Sequence, residues 1–200
     1  MGKLDELHQQ IALCERCNLC RQGRLQSIPG EGDESSVVAF FGESPGTYED
    51  EQGRPFVSQP GQFLRSNLRA NNISCSDIYL SNVVRCRTPE DRETLPEEAE
   101  ACWPWTLETL KIIQPRIIVT LGKPALMVMA HKLGFSKKVG QLTIKKLAGK
   151  PIFVEERNLY CFPMMDPAYA QRRQDSREDF TAYMRYLKLA IPGWLERPST

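Results

Sequence analysis

The run Val37-Val38-Ala39-Phe40-Phe41 leads straight into a polar, glycine-rich stretch, residues 42–58, and a helical pattern from Gln62 to Leu68 follows. β-Branched and aromatic residues suit a strand. A strand, a loop and a helix in that order is how α/β folds build a site at the carboxyl edge of a sheet. Gly42 and Gly46 let backbone approach a ligand closely. Glu43, Glu49 and Asp50 crowd carboxylates into the loop, and Phe56 closes it. Taken alone, the stretch reads equally well as an acidic surface loop, because short Gly/Pro motifs match by chance.

The remaining chain extends the same pattern. Leu4, Leu7, Ile11 and Leu13 fit one face of a short helix running into Cys14. Residues 21–35 read as loop, 61–71 as helix and 77–84 as strand. Pro96-Glu97-Glu98 suits a helix start, with carboxylates at its positive end. That helix carries Cys102, Trp105, Leu107, Leu110 and Ile113 to a break at Pro115. Residues 116–122 are apolar enough for a strand buried on both faces. Residues 123–133 read as helix, and 143–145, 152–154 and 160–162 as short strands. Residues 163–169 form a second candidate site loop. Phe180, Tyr183, Met184, Leu187 and Ile191 make a core-facing stripe on the last helix. Alternating helices and strands predict a mainly parallel sheet between helix layers. Residues 42–57, 82–87 and 163–169 all follow strands, so they should converge beyond the strand carboxyl ends.

Two hundred residues without a repeat or linker suit one domain, residues 1–200. The net charge of +1 points to no global attraction for nucleic acid, which leaves local basic patches. Arg172 and Arg173 follow the second site loop and are the best placed for DNA. Lys137, Lys138, Lys145, Lys146 and Lys150 are further candidates. Each also reads as an ordinary solvated charge. No apolar run reaches membrane-spanning length. The first six residues lack the apolar core of a signal peptide, and Glu6 departs from a myristoylation motif. A cytoplasmic protein with no membrane partner is expected.

Seven cysteines in an intracellular chain suggest metal or reactive thiols more than disulfides. Cys14, Cys17, Cys86 and Cys102 form a ligand set in which the first pair is close and the second is separated by fifteen residues. A zinc ribbon prefers two close pairs. Thiolates drawn from different elements suit an iron–sulfur cluster instead. Cys20 is an alternative to Cys17, and ordinary buried or surface thiols are the lesser alternative for the set. Cys75 and Cys161 read as free core thiols.

With these residues in view, the chain resembles the family 4 uracil-DNA glycosylases, the iron–sulfur branch of their superfamily. The loop 42–57 is similar to that family's Gly-Glu-Ala-Pro-Gly, Glu-Asp and Gly-Arg-Pro-Phe-Val pattern. Ser81-Asn82-Val83-Val84-Arg85-Cys86-Arg87 resembles its Asn-Val-Val-Lys-Cys-Arg segment. Cys14, Cys17, Cys86 and Cys102 match its cluster ligands, and Gly140-Gln141 with Asp166-Pro167-Ala168-Tyr169 resembles its closing motif. The resemblance spans about residues 10–188. It implies a three-layer α/β/α sandwich holding a structural 4Fe-4S cluster. It also implies an enzyme that flips uracil out of single- or double-stranded DNA and hydrolyses its bond to deoxyribose, acting as a monomer. In those roles Phe56 would stack on the base, since every base offers a π-face. The Asn82 amide would donate to and accept from the uracil edge. Glu49 would crowd out a thymine methyl. Backbone around Gly42, Glu43 and Gly46 would line the base and the attacking water.

This sequence departs from the family at two chemical positions. Asp166 stands where the family has a histidine that donates to the uracil oxygen as negative charge develops. An ionised Asp only accepts and would repel that charge; losing such a donor costs roughly 3–4 kcal/mol. Burial that keeps Asp166 protonated would restore a donor. Neither His8 nor His131 lies in a motif able to replace it. Ser44 stands in place of Ala and can hold a water, though it is a poor base. Ser58 and Pro60 replace Gly and Ala on the phosphate-facing loop. Three readings follow: a working uracil-DNA glycosylase, a related fold turned to another base or chemistry, and a non-catalytic DNA-binding or replication-complex subunit.

Overall fold

The computed structural model describes residues 2–74, 77–140 and 143–196. Cys75 and Gln141, both named above, lie outside the described residues. The strands are β1 (Val38–Gly42), β2 (Ile78–Asn82), β3 (Ile117–Leu121), β4 (Ile152–Val154) and β5 (Leu159–Met164). They form one sheet in the order β2-β1-β3-β5-β4. β1 lies parallel to β2 and β3, and β3 lies parallel to β5; only the edge strand β4 runs antiparallel to its neighbour. Four parallel strands therefore end at the same edge.

Helices cover both faces. α1 (Lys3–Ala12), α4 (Pro96–Ile113), α5 (Lys123–Lys132), α6 (Ser136–Val139) and α7 (Ile144–Leu147) bury Leu4, Ile113, Met129, Val139 and Leu147 with Phe41 and Ile118 of the sheet. α3 (Gln59–Ala70), α8 (Pro167–Ala170) and α9 (Gln174–Leu195) bury Leu64, Ala170 and Phe180 with Phe40 and Val119. Neighbouring strand residues thus point into opposite cores, as the period of two requires. The result is the expected three-layer α/β/α sandwich. α2 (Thr47–Gln52) stands apart, inside the first site loop. Among the described residues, no helix is long and apolar enough to cross a membrane.

Several local expectations need correction. Leu13 is 82% exposed, because α1 stops at Ala12 and leaves Leu13 at its end rather than on its buried face. Residues 143–145 are not a strand: Thr143 precedes α7, whose Ile144 and Leu147 pack inward at helical spacing. The stretch 42–58 is not all loop, since α2 starts at an extended Gly46 and ends at Gly53, whose φ of 68° suits glycine. α4 turns Thr106 and Thr109 fully inward, while Trp105, Leu107 and Leu110 are only half-buried. Cys161 is a buried core thiol as expected.

Phe180 is fully buried, with its ring 5.1 Å from Phe63 of α3. Phe180→Ala should lower stability by about 3–5 kcal/mol through lost burial and the cavity left behind. Urea unfolding of the variant beside the wild type measures this.

Candidate active site and cysteine centre

Ser44, Gly46, Glu49, Phe56, Asn82 and Asp166 line one cavity of about 160 Å³ at the carboxyl edge of the parallel strands. Each comes from a different position along that edge. Asn82 ends β2 directly opposite Gly42, the last residue of β1. Ser44 and Gly46 follow β1, and Asp166 follows β5. Gly42 touches the cavity only through its neighbours: a Cβ there would lie 2.5 Å from Asn82 Oδ1 and 3.0 Å from the Phe56 ring. A larger groove of about 350 Å³ between α4 and α5 contains Lys132 and Glu100, but these charges pair with each other. It lacks the convergent polar groups of the edge cavity.

The three loop carboxylates do not gather around the cavity. Glu43 Oε1 accepts from the Thr94 amide at 2.8 Å and the Thr94 hydroxyl at 3.0 Å. Asp50 accepts from the amides of Leu25 and Gln26 at 2.9 and 3.2 Å. Glu49 Oε1 accepts from the amides of Val57 and Ser58 at 2.9 and 2.8 Å, and its Oε2 from Gly46 at 3.2 Å. Glu49 therefore lines the cavity as a fixed wall, with both oxygens engaged. Glu43 and Asp50 tie the loop to other segments, while Glu49 ties the loop's own turns together, and charge-assisted bonds to backbone amides are strong enough to do so.

Phe56 adopts a φ of 56°, a left-handed conformation that costs a bulky residue on the order of 1–3 kcal/mol. Arg65 of α3 holds it there, donating to the carbonyls of Pro55 at 2.9 Å and Phe56 at 3.0 Å and to Glu31 at 2.8 Å. Burial opposes charge on Glu31, but Arg65 and Arg54 outweigh it and hold its carboxyl below the usual range. A Cβ on Gly61 would collide with the Phe56 backbone, so glycine is required for this close approach.

Asp166 caps α8, its Oδ1 accepting from the amides of Ala168 at 2.8 Å and Tyr169 at 3.3 Å. Burial raises its pKa above the ordinary carboxylate value. The two amides and Arg172 pull it down, while Glu43 adds to the upward push. The net direction favours a carboxyl that keeps its proton to higher pH than a free aspartate. Arg172 and Arg173 are exposed beside this segment, and Arg173 pairs with Asp175 at 3.2 Å.

Cys14, Cys86 and Cys102 are buried; Cys86 and Cys102 pack with Leu19, Val84 and Ala99, and Cys17 packs against that cluster. Each thiol has a neighbouring N–H. Trp105 Nε1 donates to Cys14 at 3.0 Å, the Arg85 amide to Cys102 at 3.3 Å and Arg24 to Cys86 at 2.5 Å, while the Leu19 amide serves Cys17. Cys17 senses the charge of Cys14, Cys86 that of Cys17, and Cys102 that of Cys86 and Cys14. Burial pushes the Cys102 thiol up to about 12. N–H groups aimed at four sulfurs are the donor set that thiolate ligands use. Among the described residues, no three His, Cys, Asp or Glu side chains converge tightly enough for one metal ion. Cys20 sits half-exposed on the turn Asn18–Arg21.

Sequence reasoning overlooked Thr94, Arg65, Arg24 and Arg85. The pair Thr106 and Thr109, three apart on an otherwise apolar helix face, was the available sign of a buried polar partner. Replacing Glu49 with Gln leaves one oxygen to serve three amides. Glu49→Gln should cost about 1–3 kcal/mol for a donor left unpaired. Faster amide hydrogen exchange at Val57 and Ser58 would locate the loss.

The family model of the uracil DNA glycosylase superfamily matches residues 29–188. The chain is 36% identical over 195 residues to the type-4 uracil-DNA glycosylase of Pyrobaculum aerophilum, covering 97% of this chain and 96% of that protein. The type-4 uracil-DNA glycosylase of Sulfurisphaera tokodaii is 33% identical over 187 residues, which is 90% of this chain and 83% of that one. That of Thermotoga maritima is 38% identical over 149 residues, 74% and 73% of the two chains. Similarity of this extent shows that the chain belongs to the uracil DNA glycosylase superfamily, in its type-4 branch.

Proposed function

We propose that the chain is an intracellular, monomeric uracil-DNA glycosylase, a single domain that extrudes uracil from DNA and hydrolyses its glycosidic bond. The observation that carries this reading is the one small cavity where Phe56, Asn82 and Asp166 meet at the sheet edge. Its size suits a single base rather than a whole nucleotide. Phe56 supplies a face for stacking. The Asn82 amide reads the base edge with a donor and an acceptor. Glu49, locked by three amides, walls the C5 side against a methyl group.

Water adds to the sugar carbon as uracil departs with the bonding electrons. Ser44 and backbone near Gly42, Glu43 and Gly46 hold that water. Protonated Asp166 donates to the base oxygen on which negative charge grows. Cys14, Cys17, Cys86 and Cys102 would hold a 4Fe-4S cluster, whose thiolate ligands suit buried sulfurs with neighbouring N–H donors. When bound, the cluster braces the segments that carry its ligands; hydrolysis itself moves no electrons. Arg172 and Arg173 contact phosphates.

A uracil-containing single-stranded oligonucleotide tests the reading directly, with abasic sites as the product. Absence of both binding and excision by the wild type would sink it. Binding without cutting would instead mark a DNA-binding subunit. Asp166→His should raise excision by roughly 10²–10³-fold wherever Asp166 is ionised, which is the worth of one oxyanion donor.

The raised pKa of Asp166 sets the sign of the pH dependence. Its neutral form is favoured in the fold, so its contribution to stability is complete below the unfolded pKa and disappears as pH rises through the folded one. Activity should fall over the same rise, from the usual carboxylate range upward. Asp166→Asn keeps an N–H donor at every pH and should flatten that limb in a pH–rate profile. Replacing Arg172 and Arg173 with Ala should make the dependence of log affinity on log salt shallower, by about one for each phosphate that the variant no longer neutralises.

A further inference from the structure

Arg85 is the largest of the fully buried side chains among the described residues. Its Nη1 donates to the Pro29 carbonyl at 3.1 Å, and its Nη2 reaches the hydroxyls of Thr106 and Thr109 at 3.5 and 3.4 Å. Its Nε has no partner. Among the described residues no carboxylate pairs with it. A guanidinium carries a full positive charge, and burying one against neutral oxygens alone is strongly unfavourable. The nearby Tyr79 hydroxyl does not supply the missing anion, because burial keeps it protonated.

The cysteine centre lies on the backbone side of Arg85. Its own amide donates to Cys102 Sγ, and its charge acts on Cys102. A second guanidinium flanks the same centre: Arg24 donates to Cys86 Sγ and to the Cys14 carbonyl, linking two ligand-bearing segments. A cubane with two ferric and two ferrous irons, four sulfides and four thiolates carries a formal charge of about −2. Two arginines match that charge.

We propose that Arg85, with Arg24, is the built-in counter-charge of the cysteine-bound cluster, a positioning pair that retains it without touching DNA. This rests on the reading of Cys14, Cys17, Cys86 and Cys102 as cluster ligands. The pair accounts for a buried arginine without a carboxylate partner among the described residues, and it makes the cluster and the fold mutually dependent. Arg85 is also three residues beyond Asn82 on one segment, so loosening the cluster loosens the wall of the base cavity.

The test follows loss of visible cluster absorbance when a strong iron chelator is added to the purified holoprotein. Wild type, Arg85→Met, Arg85→Lys and Arg24→Gln are compared. Arg85→Met keeps much of the volume and removes the charge, whereas Arg85→Lys keeps the charge. Iron loss should quicken by at least about tenfold in Arg85→Met, the usual scale for an outer-shell partner. It should return towards the wild-type rate in Arg85→Lys and quicken less steeply in Arg24→Gln. A wild-type rate in Arg85→Met, or equal rates in Arg85→Met and Arg85→Lys, would overturn the proposal by making the role one of packing. If circular dichroism shows that Arg85→Met does not fold, Arg24→Gln decides, and an unchanged rate there overturns the proposal. Wild type purified without iron would overturn the cluster reading and the counter-charge role together, whereas iron-loaded wild type with indifferent variants overturns the counter-charge role alone.

Discussion

The pairing of β1 with β2 does not stop where the strands end. Gly42 faces Asn82, and beyond them the Val83 amide donates to the Gly42 carbonyl and the Val84 amide to Glu43, each at 2.9 Å. This extension carries residues 82–86 along the edge of the cavity and into the cysteine centre. Asn82 reaches the cavity, Arg85 turns into the core and Cys86 joins the thiols. The two centres are built on one short, hydrogen-bonded segment. A Cβ on Gly42 would crowd the side chains of Asn82 and Phe56, so glycine leaves both room at this edge.

Around this ladder, polar groups that look catalytic act mostly as fasteners. Glu43, Glu49 and Asp50 each hold a separate backbone segment. Arg65 and Glu31 hold the strained turn at Phe56. A buried amide without a partner costs more than an average hydrogen bond contributes, so such fasteners make the loop stiff. Stiffness has a purpose in a cavity that must present an aromatic face and an amide at fixed positions. Electrostatic stabilisation of a leaving base works best when the groups are already in place.

Asp166 sits within that rigid frame as the N-cap of α8. As an N-cap it makes bonds suited to an ionised carboxylate, yet burial pushes it towards the protonated form. These tendencies oppose each other, and burial wins. The carboxyl therefore keeps its proton to higher pH than a free aspartate does. Its position is set by β5 and by Gly122, whose φ of 87° brings the end of β3 against it.

Much of this was legible in the chain itself. The alternation of strands and helices, the glycine-rich stretch after the first strand and the order of the four cysteines followed from residue type and spacing, which are local properties. They sufficed for the layered parallel sheet and its convergent edge, while Asn82 and Asp166 stood out on that edge only through the resemblance to a known family. The sequence did not determine which way a carboxylate turns. Glu43 and Thr94, or Glu49 and Ser58, meet only because the chain has folded back on itself. Thr143-Ile144 looked like strand until its packing demanded a helical turn, and Leu13 looked like core until the helix ended before it. The role of Arg85 was equally hidden, since burial and an absent carboxylate are facts about neighbours distant in sequence. Residue chemistry and periodicity determined the architecture and the inventory of groups. Tertiary structure alone decided which groups face the cavity, which fasten the loop and which stand beside the thiols, because desolvation and hydrogen bonding depend on distances that only the folded chain sets.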